Sequence, residues 1–104
     1  MQIKVYHTGL AVASIQISHT NDIMAALEYA FFRTQNIEGS WSRGEFFELG
    51  QENGDYSADI NVLAPLHEAD GHIYGLRSSM VGDTFVVNDE MGYSVARMGF
   101  EEIV

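Results

Sequence analysis

Only one stretch of this 104-residue chain, from Asn21 to about Gln35, repeats its apolar residues at helical spacing; most other ordered-looking segments alternate with a period of two. Ile23, Leu27, Ala30 and Phe31 form the helical stripe, Met24 widens it, and core packing is its expected role. Asn21 or Asp22 can cap the helix, and Asp22 in the first turn suits the positive end of its dipole. A lone amphipathic helix must bury its stripe against something, and the alternating segments offer a sheet. The chain length suits one core. The expected fold is therefore α+β, a largely antiparallel β-sheet with one main α-helix packed on one face, in a single domain over residues 1–104.

The strands can be placed from turn signals. Gln2–His7 alternates, as does Ser14–Ser18, with a turn near Thr8-Gly9 between them. Asp59–Leu63 is the next candidate, ended by Pro65. Ala69-Asp70-Gly71 is a turn leading into a strand over His72–Arg77, and Val81-Gly82-Asp83 is another turn. Thr84–Asn88 and Gly92–Met98 then make a hairpin across Asp89-Glu90-Met91. Between Asn36 and Gly54 the chain is irregular and glycine-punctuated, although Glu45–Leu49 has the composition of a short strand.

The acids are distributed unevenly. The 26 residues from Glu45 to Asp70 contain seven carboxylates (Glu45, Glu48, Glu52, Asp55, Asp59, Glu68, Asp70) and no lysine or arginine, in a chain of net charge −10. Trp41, Phe46, Phe47 and Tyr56 share that neighbourhood. Evenly spread over the roughly 5,800 Å² that a folded chain of this mass exposes, ten charges would be sparse. Gathered on a standard patch of ~800 Å², seven approach the one charge per ~110 Å² of duplex DNA. Direct nucleic-acid binding is not expected, because the only cations are Lys4, Arg33, Arg43, Arg77 and Arg97, and they are scattered. An anionic membrane surface would repel the chain. The start, Met1-Gln2-Ile3-Lys4-Val5, has no signal-peptide character, and cysteine is absent, so a soluble cytoplasmic protein is expected.

Catalytic patterns are sparse. His67-Glu68-Ala69-Asp70-Gly71-His72 supplies donor types for a divalent metal, but the helical spacing that makes two histidines converge is missing. Glu52, Asp55 and Asp59 lack the glycine and terminal glutamate of a calcium loop. No Gly-x-Ser-x-Gly elbow occurs, and Gly39-Ser40-Trp41-Ser42-Arg43-Gly44 lacks the lysine of a phosphate loop. No cofactor, no metal and no enzymatic activity are expected. Arg77-Ser78-Ser79-Met80-Val81-Gly82-Asp83 reads first as structure: Gly82 for the turn, Asp83 as its cap, and Arg77 paired with Asp83 or another acid.

Two segments carry a resemblance. Phe32-Arg33-Thr34-Gln35-Asn36-Ile37-Glu38-Gly39-Ser40-Trp41, and Leu76–Val87 followed by Met98-Gly99-Phe100, together resemble small proteins encoded by bacteriophages and plasmids. Those proteins pair a TNxIxxxW-like segment with RSTSVGDVxxV and a closing GF or GW; Gln35 and Met80 depart from the pattern, which usually has asparagine and serine there. The family has no assigned function, and the resemblance implies a mobile-element origin. Joined to the acidic stretch, it leads to an expectation of a non-enzymatic interaction protein. Its partner would be a basic, nucleic-acid-handling host protein, such as a restriction or CRISPR effector, blocked through an acidic face or by nucleic-acid mimicry. Glu45, Glu48, Glu52, Asp55 and Asp59 would meet its cations, with Trp41 or Phe47 as the buried anchor. Alternatives are a mobile-element accessory module that binds another phage protein or a small ligand, and a small metal-dependent enzyme. A homodimer is compatible with all three.

Overall fold

A computed structural model of the chain describes residues 1–103. Six strands form an antiparallel sheet in the order β3-β2-β1-β6-β7-β8, and one helix, α1 (Ile23–Arg33), covers one face. The strands are β1 (Gln2–His7), β2 (Leu10–Gln16), β3 (Ile60–Val62), β6 (Thr84–Val87), β7 (Met91–Val95) and β8 (Phe100–Glu102). β4 (His67–Ala69) and β5 (His72–Tyr74) pair separately as a two-stranded hairpin. The architecture is the expected α+β. Among the described residues no helix is long and apolar enough to cross a membrane.

Alternation places Ile3, Val5, Phe85, Val87, Tyr93 and Val95 beneath the helix, which buries Ala26, Leu27 and Ala30 against them. The two alanines let α1 approach the sheet closely, while Leu27 fills the space between. Truncating Leu27 to alanine would leave a cavity costing about 2–5 kcal/mol. Asp22 is the N-cap, its Oδ2 accepting from the Ala25 N–H at 3.3 Å, so it lies just outside the first turn. Met24 does not widen the buried stripe: it is half exposed and outside the core, whereas Ala26 is fully buried.

The tight turns carry the left-handed backbone expected of hairpins. Thr8 and Gly9 (φ 49° and 82°) join β1 to β2, and Asp70 and Gly71 (φ 53° and 78°) join β4 to β5. Other boundaries moved for identifiable reasons. β2 begins at Leu10, not Ser14, because a bulge shifts its register against Val5 and Tyr6 and breaks the alternation at Val12-Ala13. β5 ends at Tyr74, and the chain then passes residues 40–42 closely at Gly75, where a Cβ would lie 2.0 Å from Ser40 Oγ. β7 stops at Val95, and the chain turns through residues 96–99 into β8, the edge strand that the pattern did not announce. Glu45–Leu49 makes a single bridge, Phe46 to Glu52, and then a 3-10 turn over Glu48–Gly50.

Candidate functional site

Residues 34–41 and 76–83, distant in sequence, form a clasp beside the C-terminus of α1. The Ser79 N–H donates to the Thr34 carbonyl at 2.9 Å, and Gln35 Nε2 donates to the carbonyls of Phe31 and Ser79, both at 3.0 Å. The Asn36 N–H donates to Ser78 Oγ at 2.8 Å, and its Nδ2 donates to the Leu76 carbonyl at 3.0 Å. Trp41 completes the clasp, its Nε1–H donating to the Arg77 carbonyl at 2.9 Å. Polar side chains thus satisfy an extended strap that no strand pairs.

Beneath the clasp lies a buried polar chain. His7 Nε2 is 2.9 Å from Ser79 Oγ, which is 2.7 Å from Thr34 Oγ1, which donates to the Ala30 carbonyl at 2.9 Å. Each hydroxyl has one proton, so the direction is set from the far end: Thr34 gives its proton to Ala30, Ser79 gives its own to Thr34, and His7 must donate from Nε2. A histidine protonated at Nε2 is no base for Ser79. Asp83 Oδ2 lies 3.6 Å from the same nitrogen, whereas a catalytic triad places acid and serine on opposite ring nitrogens. With His7, Ser79, Thr34 and Asp83 all buried, this is a structural network. Burial lowers the His7 pKa, against the pull of Asp83. For Asp83, burial pushes its pKa up, but the bidentate Arg77 (2.8 and 2.9 Å) and the Met80 N–H outweigh it and hold the carboxyl below its usual range.

The acidic loop is built around two side chains. Asp55 Oδ2 accepts three consecutive amide N–H groups, from Ile37, Glu38 and Gly39 at 2.7, 2.9 and 2.7 Å. The buried Asn53 accepts from the Ser40 and Asp55 N–H groups through Oδ1 and donates from Nδ2 to the Ser40 and Gly44 carbonyls. Gly39 is required, since a Cβ there would sit 2.2 Å from Asn53 Oδ1. Beyond this frame, residues 45–53 fold back as a small hairpin closed by Phe47 N–H to Gln51 O (2.7 Å) and Asn53 N–H to Glu45 O (2.9 Å).

This geometry sorts the expected contact residues. Trp41 is 1 % exposed, so it is a core residue and cannot serve as a partner's anchor as expected. Phe47 is half-buried, under the Arg43 guanidinium at 4.7 Å from its ring centre. Asp55 holds the loop, and Asp59 accepts hydrogen bonds from Tyr29 and Ser57; both are partly buried, so neither is available as an exposed contact. Glu48 pairs with Arg43; its own backbone amide and that guanidinium hold its carboxyl below the usual value. Glu45 and Glu52 are exposed and make no ion pair or side-chain hydrogen bond among the described residues. With Phe46, Asn53, Gly54 and Tyr56 they line a cleft of about 280 Å³.

The residues that the sequence reading missed stand on this hairpin, Leu49 at its tip and Phe46 near its base, bridged to Glu52. Leu49 is 99 % exposed at φ 72°, and Phe46 is 55 % exposed. A leucine next to Gly50 amid acids was the available signal, but the adjacent phenylalanines left open which ring faces out. His67 and His72 share one face of the β4–β5 hairpin, each about 6 Å from the Tyr74 ring. Among the described residues no three His, Asp or Glu side chains are grouped to hold a metal ion. No protein-family model, curated protein or solved structure matches the chain.

Proposed function

We propose that this chain is a non-enzymatic interaction protein that docks its 45–53 hairpin onto a basic, nucleic-acid-handling protein and excludes the nucleic acid from it. One observation carries the reading: Leu49 combines full exposure with a left-handed backbone, two properties that stability disfavours, at the tip of an acidic hairpin. Leu49 and Phe46 are the apolar anchors, and Glu45 and Glu52 are the free carboxylates that meet lysine or arginine at the rim. The resemblance to phage and plasmid proteins favours a defence effector as the target.

Exclusion suits this surface better than imitation of DNA. Of the seven acids in the stretch, Glu48, Asp55 and Asp59 have internal partners, leaving four. Four on an ~800 Å² patch give one charge per ~200 Å², about half the density of duplex DNA.

The test is capture of the target from host lysate at about 50 and 500 mM salt, where screening shortens from ~14 to ~4 Å. E45K/E52K is expected to weaken capture strongly and E101K/E102K much less. Equal losses from both pairs would mean that total charge alone matters, and the docking hairpin would be abandoned. Plating of phage on a defended host, with and without this protein, reads the biological consequence.

A further inference from the structure

A second surface, remote from the acidic loop in sequence, has a different character. A groove of about 310 Å³ runs between α1 and the turn joining β7 to β8. Phe31, Val95 and Phe100 line its apolar floor, Val81 stands at its side, and Glu28 and Arg97 are its charged members. Met98 projects from the adjoining turn with 93 % of its surface exposed. Among the described residues neither Glu28 nor Arg97 forms an ion pair.

We infer that this groove is a two-fold interface in which Met98 of one copy of the chain enters the groove of a second. Three observations select a second copy over a basic partner. The first is Arg97, which would repel a cationic segment. The other cations are engaged internally: Lys4 with Asp89, Arg43 with Glu48, Arg77 with Asp83, and Arg33 over the Tyr29 ring. The second is the opposite signs of Glu28 and Arg97. In a two-fold interface residue i meets j while j meets i, so each glutamate faces the other copy's arginine and two pairs form from one patch. The third is that knob and hole adjoin on the same surface, as self-complementarity requires. Methionine suits the role because its unbranched, polarizable side chain adapts to irregular apolar gaps. Edge pairing is a poor alternative, because β8 is three residues long and carries Glu101 and Glu102.

The two copies each carry −10, so their long-range repulsion opposes association and is relieved as salt rises. The dimer should therefore persist at salt concentrations that dissociate a complex with a basic partner.

Sedimentation equilibrium on the full chain over a range of concentrations tests the proposal. The expected result is a reversible dimer. M98E should weaken it at least about tenfold while leaving the thermal melt of the monomer unchanged, as befits an exposed side chain. E28R and R97E should each weaken self-association by a similar factor. Mixing E28R with R97E should restore the dimer, because both pairs are then opposite in sign again. A wild-type chain that stays monomeric throughout would overturn the proposal, as would a dimer indifferent to M98E or a mixture that fails to recover. Since docking of the 45–53 hairpin is read from capture of a basic target, either proposal can fail alone.

Discussion

Trp41 Nε1 lies 2.9 Å from the Arg77 carbonyl oxygen, to which it donates, and this bond closes the clasp between two segments 36 residues apart. The ring supplies buried apolar area, and the N–H satisfies a strap carbonyl. Trp41→Phe keeps most of the first and removes the second. It is expected to lower stability by about 1–3 kcal/mol, from the lost hydrogen bond and the smaller ring left in a buried site. Urea unfolding followed by circular dichroism measures it. A loss under 0.5 kcal/mol would show that water replaces the indole.

Acid should weaken the fold through His7 first. Its pKa in the folded chain is depressed from the ordinary 6.5, chiefly by burial. As pH falls through 6.5 the unfolded chain binds a proton that the native chain refuses, so stability declines until the native value is reached and then levels. Asp83 acts in a lower window. Its folded pKa is depressed below 3.8, so the stability it confers is present above that pH and is lost as pH falls through the folded value. His7→Gln retains a donor for Ser79 and cannot titrate. Thermal melts from pH 7 to pH 5 should be flatter for this variant than for the wild type, and parallel slopes would exclude His7 as the origin.

The helix, a cap at Asn21 or Asp22 and the hairpin turns were legible because local chemistry fixes them: a 3.6-residue stripe, a short polar cap, and glycines that tolerate φ above zero at Gly9 and Gly71. The start of β2 was not, since a bulge destroys the alternation by which a strand is recognised. The sorting of the acidic stretch was hidden for a different reason. Asp55 and Glu52 are chemically alike, and only the return of residues 37–39 past Asp55 turns one into a structural cap while the other stays in solvent. Arg77 with Asp83 was one of the pairings the sequence left open, whereas Thr34 with Ser79 depends on the fold bringing helix end and strap together.

Asp55 and Glu52 should consequently behave as opposites on mutation. Asp55→Ala strands three amide N–H groups and is expected to cost about 2 kcal/mol or more. Asp55→Asn, which keeps an acceptor without the charge, should fall between. Glu52→Ala, at an exposed site without a partner, should stay within about 0.5 kcal/mol. Chemical denaturation of the three variants side by side checks the order, and a neutral Asp55→Ala would mean that the 36–56 loop contributes nothing to global stability.

Leu49 gives the sharpest separation of stability from function. Its φ of 72° costs a residue with a Cβ roughly 1–2 kcal/mol, and its side chain, 99 % exposed, gains nothing from burial in return. Leu49→Gly removes the strain but adds roughly 0.5–1 kcal/mol of backbone entropy, so stability should stay level or rise by up to about 1.5 kcal/mol. Leu49→Asn, which tolerates the same backbone and is polar, should likewise be harmless to the fold. If the hairpin tip is an anchor, both variants lose target capture by tenfold or more, the effect of removing a buried apolar contact at an interface centre. Thermal melts beside binding isotherms for the two variants decide the matter. Unchanged capture by both would leave Leu49 as an unexplained exposed residue and move the docking surface to Phe46 and its cleft or elsewhere. A large loss of stability in either would show that the leucine packs against the protein itself.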